Sequence, residues 1–282
     1  MNFDEKKYKL YQIIETLLED KVILAFSGGV DSALILKIAS SNKDLRKNIK
    51  AVFFKSLSTT DEELENAKSL ARDFGVDFIV KEVDILTDPN IKTNAKDRCY
   101  HCKKMLFSKA IELKDEFSFA HVIDGTNTDD YKVYRPGLVA LRDLGVISPL
   151  KEAGFDKKDV RSLAGELGIS VAKKPSAPCL LTRFAYGDTI DYEKLRRVDQ
   201  GEKFLKTFAF KNLRLRDHKG LARIEILPED FKIIIDNKNK IIKTLKDLGF
   251  SYITLDLEGF RSGSMDEKLS DDDKKRWQLD GQ

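Results

Sequence analysis

The strongest restriction on the fold is an exchange between two periodicities. Continuous apolar runs stand at 21–26 (KVILAF), 49–55 (IKAVFFK), 76–83 (VDFIVKEV) and 120–124 (AHVID), while helical apolar spacing occupies stretches near 31–41, 60–74, 103–117 and 156–168. An i, i+4 stripe also marks the opening DEKKYKLYQIIETLLED as an amphipathic helix. Strands that are apolar on both faces and alternate with helices predict an α/β fold, a parallel sheet covered by helices on both sides. In such sheets ligands gather at the carboxyl ends of the strands. The residues directly after each run are therefore where chemistry is expected.

The pattern changes near 175, where KPSAPC brings two prolines into a polar setting. Beyond it LRLRDHKGLARIEIL reads as two short strands around a turn, FKIIIDNKNKIIKTLKDLG as a helix and YITLDLEG as a further strand. This predicts two domains, 1–174 with the parallel sheet and 175–282 as a smaller α+β unit, ending in a charged tail (MDEKLSDDDKKRWQLDGQ) read as loose or as an assembly arm. With 282 residues, 41% of them apolar, the chain has enough material for both cores. Fifty basic residues against 47 acidic ones leave a net charge of +3, so nucleic acid is not an expected partner. No apolar run approaches the roughly 20 residues that span a bilayer, and MNFDEKKYKL lacks a secretory signal's apolar stretch. The expected compartment is the cytoplasm, with no membrane partner.

SGGVDS, Ser27 to Ser32, follows the first strand and opens a helix (ALILKIAS). Gly28 and Gly29 permit a tight turn with inward amides, and the helix end behind them is favourable to an anion. Ser27 and Ser32 add hydroxyl donors, and Asp31 is suited to hold Mg2+ on bound phosphates. A plain Gly-Gly turn is the alternative. The G-x-x-x-x-G-K-[ST] and G-x-G-x-x-G patterns are absent.

The chain has three cysteines: Cys99 and Cys102 in DRCYHCKKMLF, and Cys179. The C-x-x-C pair suits a redox dithiol, half a zinc site or part of an iron–sulfur site, and spacing does not choose among them. Both thiols are expected just before a helix (KKMLFSKAIELKDEF), beside Arg98, Lys103 and Lys104, a setting that favours thiolate. Zinc would need a fourth ligand from His101, His121 or His218. Cys179, between Pro178 and two leucines, also reads as a buried filler.

Arg214 and Arg216 alternate along an expected strand and project to one face, where they would grip a phosphate or simply meet solvent. Arg183 and Arg261 stand in loops bounded by glycine or proline, within reach of an anion. Glu225 and Arg223 read equally as a surface pair. Gly125 and Asn127 in DGTN, and Ser56 after IKAVFFK, follow strand ends and suit an adenine or ribose contact, or a turn. His101 and His218 have no evident partner, and no Ser/His/Asp triad is supported.

SGGVDS resembles the pyrophosphate loop of the ATP-pyrophosphatase (PP-loop) superfamily, whose members cleave ATP between its α and β phosphates. DGTNTDD (124–130), YRPG (134–137), ALRDLGVISPL (140–150), KKPSAPCLLTRFAYG (173–187), LRLRDHKGLARIEI (213–226) and TLDLEGFRSGSM (254–265) are similar, in order, to the sulfur-inserting branch that serves nickel-pincer nucleotide biosynthesis. The resemblance covers nearly the whole chain. It implies adenylation of each carboxylate of pyridinium-3,5-biscarboxylic acid mononucleotide, then replacement of AMP by sulfur, yielding thiocarboxylates that bind nickel in lactate racemase. It implies ATP and Mg2+ at Ser27, Gly28, Gly29, Asp31, Ser32, Ser56, Gly125 and Asn127. It assigns the substrate to Arg183, Glu202, Arg214, Arg216, Glu225 and Arg261, with Cys179 and Asp31 catalytic.

The family has two forms. In one, the cysteine matching Cys179 surrenders its own sulfur and becomes dehydroalanine. In the other, three cysteines hold a [4Fe-4S] cluster whose fourth iron carries sulfide; Cys99, Cys102 and Cys179 match that count. A sulfide or other sulfur donor and a homo-oligomer are further implications. RNA thiolation, which would call for a basic face or an added module, and a non-catalytic adenine-nucleotide sensor are the rival readings.

Overall fold

The computed structural model describes residues 1–174, 178–261, 263–275 and 277. In chain order the elements are α1 (Phe3–Glu19), β1 (Val22–Ala25), α2 (Val30–Ser41), β2 (Ile49–Lys55), α3 (Asp61–Phe74), β3 (Asp77–Glu82), α4 (Pro89–Lys92), α5 (Arg98–Glu116), β4 (His121–Ile123), α6 (Pro136–Asp143), α7 (Pro149–Glu152) and α8 (Lys157–Glu166). There follow α9 (Tyr192–Lys206), β5 (Leu213–His218), β6 (Leu221–Ile226), α10 (Phe231–Asp236), α11 (Lys238–Asp247), β7 (Tyr252–Leu255) and α12 (Asp271–Lys275). The chain divides into two units: Met1–Ile85 with Asp97–Ala177 and Lys274–Gln282, and Leu86–Lys96 with Pro178–Asp273. The expected boundary after residue 174 falls against 175–177, outside the described residues. Residues 86–96, read from sequence as part of the first domain, group with the second unit.

In the first unit four parallel strands stand in the order β3-β2-β1-β4. Alternate residues of one strand point to opposite faces. Val22 and Leu24 of β1, with Ile49, Ala51 and Phe53 of β2, enter a core shared with α1, α2, α3 and α8. Ile23, Val52 and Val122 face the other way, onto Phe107, Ala110 and Leu113 of α5 and Leu138 and Leu141 of α6. Burial on both faces is the reason these strands read as unbroken apolar runs. The order reverses at β1: the chain builds outward to β2 and β3, then returns to place β4 on the opposite side. A reversal of this kind opens a crevice at the carboxyl ends of the two strands flanking it, here β1 and β4.

The second unit is built on a three-stranded sheet, β5-β6-β7. β5 and β6 form an antiparallel hairpin, and β7 pairs parallel to β6. The hairpin turn places Lys219 and Gly220 at φ 55° and 91°, the double left-handed arrangement whose twist matches paired strands. Gly220 N–H donates to Asp217 Oδ1 at 2.7 Å, closing the turn. The single helix expected over FKIIIDNKNKIIKTLKDLG is two, because Asn237 leaves helical geometry at φ −104°, ψ 12° between α10 and α11. Helix α9 is an addition. Its stripe Leu195, Val198, Leu205 is interrupted on the buried side by Gly201 and the charged Glu202. Among the described residues no helix is long and apolar enough to cross a membrane.

Candidate active site

The first site lies in the first unit, at the carboxyl ends of β1 and β4. Phe26 N–H continues the ladder to Val52 O at 2.8 Å, after which the chain turns through Gly28 at φ +72°. A Cβ on Gly28 would sit 3.0 Å from Ala67 Cα of α3, so only glycine lets the loop lie this close. Gly29 is the N-cap of α2, with no side chain capping the helix. The amides of Val30, Asp31 and Ser32 therefore have no acceptor within the helix. Ser27 Oγ accepts from Gly29 N–H at 3.3 Å and lies 3.4 Å from Ser32 Oγ, which donates to Gly29 O at 3.2 Å. Amides, two hydroxyls and a helix N-terminus thus converge on one loop, an arrangement able to take a polyphosphate.

The loop after β4 packs directly on this turn. A Cβ on Gly125 would stand 2.9 Å from Ser32 N and 3.2 Å from Asp31 Cβ. Asp124, 4% exposed, pins the loop from below, accepting from Thr126 Oγ1 at 2.5 Å and Ser148 Oγ at 2.6 Å. Asn127 Nδ2 then donates to Asp31 Oδ1 at 3.0 Å, and Lys157 Nζ to Asp31 Oδ2 at 2.5 Å. Asn127, read from sequence as an adenine or ribose contact, meets the Asp31 carboxylate through this bond. Lys157 is the first residue of α8, fixed by the Asp156–Asp159 capping box and by its own N–H donating to Asp129 Oδ2 at 2.9 Å. Hydrogen bonds from Lys132 and then Lys157 hold the Asp129 carboxyl below the usual carboxylate range. Ser56 follows β2, the neighbour of β1, and closes on itself: its N–H donates to Thr59 Oγ1 at 3.1 Å and its hydroxyl lies 2.8 Å from Ser58 Oγ.

The second site lies within the second unit. Cys179 is exposed and heads a single 3-10 turn, Leu180–Arg183; its carbonyl accepts from Thr182 N–H at 3.0 Å and Thr182 Oγ1 at 2.8 Å. The turn hangs from a buried ion network. Arg183 donates Nε and Nη2 to the two oxygens of Glu202 at 2.6 and 3.2 Å, and Glu202 Oε1 also accepts from Leu215 N–H at 3.0 Å. Arg216 donates Nε to Glu225 Oε1 at 2.5 Å, Nη1 to Thr182 O at 2.8 Å and Nη2 to Ser264 Oγ at 2.7 Å. Arg223 donates to the same Glu225 oxygen. Glu225, at 1% exposure, is a core residue and not half of the expected surface pair. Burial alone would raise its pKa, but the hydrogen bonds from Arg216 and Arg223 outweigh it and leave the carboxyl lowered.

Arg214 differs from these. It is 8% exposed, lies over the Phe260 ring at 4.7 Å, and its hydrogen bond is a long one to the Arg261 carbonyl at 3.5 Å. Burial, then the like charges of Arg183 and Arg216, push its guanidinium below the ordinary value. So the arginine pair divides its labour: Arg216 has each of its nitrogens engaged in holding the fold, whereas Arg214 carries a desolvated positive charge with no carboxylate hydrogen-bonded to it among the described residues. Arg183 is likewise engaged with Glu202 and is not a loose arm. Arg261 is more exposed, with Glu258 at 2.6 Å and Glu267 at 2.7 Å.

In the first unit α5 begins at Arg98, so Cys99 in its first turn and Cys102 at the start of its second lie inside the helix and not before it. Three residues apart, they share one side of the helix at its favourable N-terminal end, an arrangement in which two thiolates can reach one metal centre. None of the three cysteines is in a disulfide. His101 lies 3.6 Å from Asp97, and Tyr100 packs its ring 5.1 Å from that of Trp277, the chain's one tryptophan. His121 lies 3.4 Å from Asp20, and His218 Nε2 is buried with no hydrogen-bond partner among the described residues. Among the described residues no three His, Cys, Asp or Glu side chains form a ready-made metal site. Asp31 offers one carboxylate at the loop, a donor set that fits Mg2+ carried in on phosphates, since that ion takes one or two protein carboxylates and keeps waters.

Residues 3–108 match the family model described as NAD synthase. An uncharacterized protein of Synechocystis is 37% identical over 89% of this chain and 94% of its own length. The pyridinium-3,5-bisthiocarboxylic acid mononucleotide synthase of Lactiplantibacillus plantarum is 40% identical over 94% of this chain and 95% of its own. The chain belongs to the pyridinium-3,5-bisthiocarboxylic acid mononucleotide synthase family. An uncharacterized protein of Methanocaldococcus jannaschii extends the same similarity, at 35% identity over 93% of this chain and 100% of its own length.

For a member of this synthase family, the parallel sheet with SGGVDS at the end of β1 is the PP-loop architecture. One residue of its first site escaped the sequence reading. Lys157 stands in GFDKKDV, where a lysine at the start of an amphipathic helix reads as a solvated end. Apolar spacing placed the helix, but nothing in the local pattern aims the side chain at Asp31 across 126 positions of sequence.

Proposed function

We propose that this chain is an ATP-dependent sulfurtransferase that converts the carboxylates of pyridinium-3,5-biscarboxylic acid mononucleotide to thiocarboxylates. A carboxylate oxygen attacks the α-phosphorus of ATP, the bond to the bridging oxygen breaks, and pyrophosphate leaves. A sulfur nucleophile then adds to the acyl carbon, and AMP departs with the former carboxylate oxygen. The loop Ser27–Ser32 holds the polyphosphate through amides and hydroxyls, and Asp31 meets the accompanying Mg2+, with Lys157 and Asn127 orienting the carboxylate. Developing charge on the phosphates is where fixed donors contribute most. Ser56 and Gly125 border this crevice.

The observation that carries the reading is Arg214. A buried cation with no carboxylate hydrogen-bonded to it among the described residues is costly unless an anion completes it, and a substrate phosphate is an anion of the right kind. Arg183, Arg216, Glu202 and Glu225 hold the Cys179 turn and the strand that carries Arg214, and the Arg261 carbonyl accepts from Arg214 itself. We assign sulfur delivery to the three thiolates of Cys99, Cys102 and Cys179 holding a [4Fe-4S] cluster, which when bound would supply sulfide from its one iron lacking a protein ligand. The enzyme is taken to work in the cytoplasm as a homo-oligomer, with sulfide or another sulfur donor replenishing it. The exposure of Cys179 supports a second reading, sacrificial transfer of its own sulfur.

The test is anaerobic purification with iron and labile-sulfide analysis, followed by incubation with ATP and the pyridinium mononucleotide. Pyrophosphate release, thiocarboxylate formation and unchanged protein mass are expected. Product formed with loss of hydrogen sulfide from the protein would replace the cluster by the sacrificial route. Absence of substrate-dependent pyrophosphate release would sink the whole reading and favour a nucleotide sensor.

A further inference from the structure

Within the second unit, the short segment 86–96 is clasped to the chain that leaves the Cys179 turn, and Asn94 is the clasp. Its side chain is fully buried. Nδ2 donates to two successive carbonyls, Phe184 O at 3.0 Å and Ala185 O at 2.7 Å. Its own carbonyl accepts from Gly187 N–H at 3.1 Å, and two residues earlier Lys92 O accepts from Ile190 N–H at 2.7 Å. Asn94 also sits at φ 50°, in the left-handed region. Few residues other than glycine adopt that conformation, and asparagine is among those that tolerate it.

Two demands therefore meet at this position. The backbone must turn left-handed, which excludes branched and bulky residues, and the side chain must present two N–H donors to adjacent carbonyls. Aspartate satisfies the first but offers acceptors facing acceptors; glycine satisfies the first and offers nothing. Only asparagine meets both. The segment it clasps begins at Phe184, directly after the 3-10 turn headed by Cys179. Phe184 is fastened a second time, by an isolated parallel bridge to Asp217. Five residues beyond Asn94 the chain reaches Cys99.

We infer that Asn94 is a positioning residue for the Cys179 thiol, resting on the sulfurtransferase reading for its purpose but not for its detection. It touches neither substrate nor sulfur. It holds the outgoing limb of the Cys179 turn while Arg216 holds the turn itself through Thr182 O, so the thiol is fixed from two sides. The limb leading to Cys99 is anchored by the same residue.

The experiment compares the unaltered chain with Asn94→Asp and Asn94→Gly, labelling reduced protein with iodoacetamide for short times and quantifying each cysteine-bearing peptide by mass. The rate at Cys179 divided by that at Cys102 is expected to change by about 5-fold or more in both variants. Thiocarboxylate formed per pyrophosphate released should fall by about 10-fold or more, because small misplacements of a reacting group are costly. Pyrophosphate release itself should stay within about 2-fold, a split that general loss of structure would not produce. An unchanged labelling ratio in both variants overturns the inference. If the unaltered chain makes no thiocarboxylate, the sulfurtransferase reading fails by itself and the labelling ratio still decides the role of Asn94. Should neither variant fold, amide exchange in the unaltered chain decides: Gly187 and Ile190 protected as well as the β5–β6 hairpin supports the clasp, and exchange within about 10-fold of an open peptide refutes it.

Discussion

The ammonium of Lys157 stands 2.5 Å from Asp31 Oδ2, joining the first turn of α8 to the first turn of α2. The pair is partly exposed, 29% and 22% for the two side chains, so its value for stability is about 0–1 kcal/mol. Its value for catalysis is expected to be larger. Lys157→Met should lower substrate-dependent pyrophosphate release by about 100-fold, the scale of loss when a group near the chemistry is displaced by an ångström, with a melting temperature little changed. Calorimetry and a pyrophosphate assay on the same sample separate the two; a variant of full activity removes Lys157 from the site.

Gly125 is where two loops come closest. In Gly125→Ala the new methyl would meet Ser32 N at 2.9 Å, backbone that cannot swing aside. The β4 loop and the SGGVDS turn must then part. ATP affinity measured by titration calorimetry should fall about 10-fold, since the cradle's donors lose registration, while circular dichroism stays native. Unaltered affinity would mean that the contact has no bearing on nucleotide binding.

Arg214 and Arg216 are adjacent on one strand face, yet their substitutions should behave oppositely. Arg216→Met leaves Glu225 buried beside Arg223 alone and cuts the tie to Thr182 O, and loss of a buried ionic partner costs about 3–5 kcal/mol; a clear drop in denaturant midpoint is expected. Arg214→Met removes a cation whose burial and like-charged neighbours Arg183 and Arg216 outweigh the pull of Glu225 and Glu202, so stability should hold or rise. Its cost should appear in KM for the mononucleotide, raised about 10- to 100-fold for one lost charge-assisted bond. Equal destabilisation by both would contradict the division of roles.

His218 supplies a pH signature. Burial, then the charges of Arg223 and Arg216, lower its pKa against the weaker opposing pull of Asp188 and Asp217. A histidine whose folded pKa lies below its unfolded value of about 6.5 is protonated first in the unfolded chain, so stability falls as pH drops through 6.5 toward the folded value. Urea midpoints between pH 7.5 and 5.5 should decline in the unaltered protein and flatten in His218→Gln. A slope that survives the substitution would have to come from other groups.

What could be read from sequence, and what could not, divides along physical lines. Strands β1, β2 and β4 of the first sheet were legible because their apolar residues are buried on both faces, whereas β3, exposed or half-buried along its length, was legible from its run Phe78–Val80. Helix α9 was not, since Glu202 occupies a core position that only its partner Arg183, 19 residues away in sequence, makes tolerable. Alternation along LRLRDH placed Arg214 and Arg216 on one face correctly. Their different roles depend on Glu225, Thr182 and Ser264, which no local pattern supplies. The Cys99–Cys102 spacing was plain, but arginine, tyrosine and histidine around it hid the true start of α5. Lys157 and Asn94 were missed for one reason: each acts through a contact distant along the chain.

The packing of Trp277 on Tyr100 makes the protein its own optical instrument. With one indole in the whole chain, and that indole 5.1 Å from a ring lying between Cys99 and Cys102, emission excited at the red edge, where the eight tyrosines do not absorb, has a single source. Any light-absorbing centre assembled on those thiols would drain it by resonance energy transfer. Loading and loss at the C-x-x-C turn can therefore be timed in a stirred cuvette, without a label and without turnover.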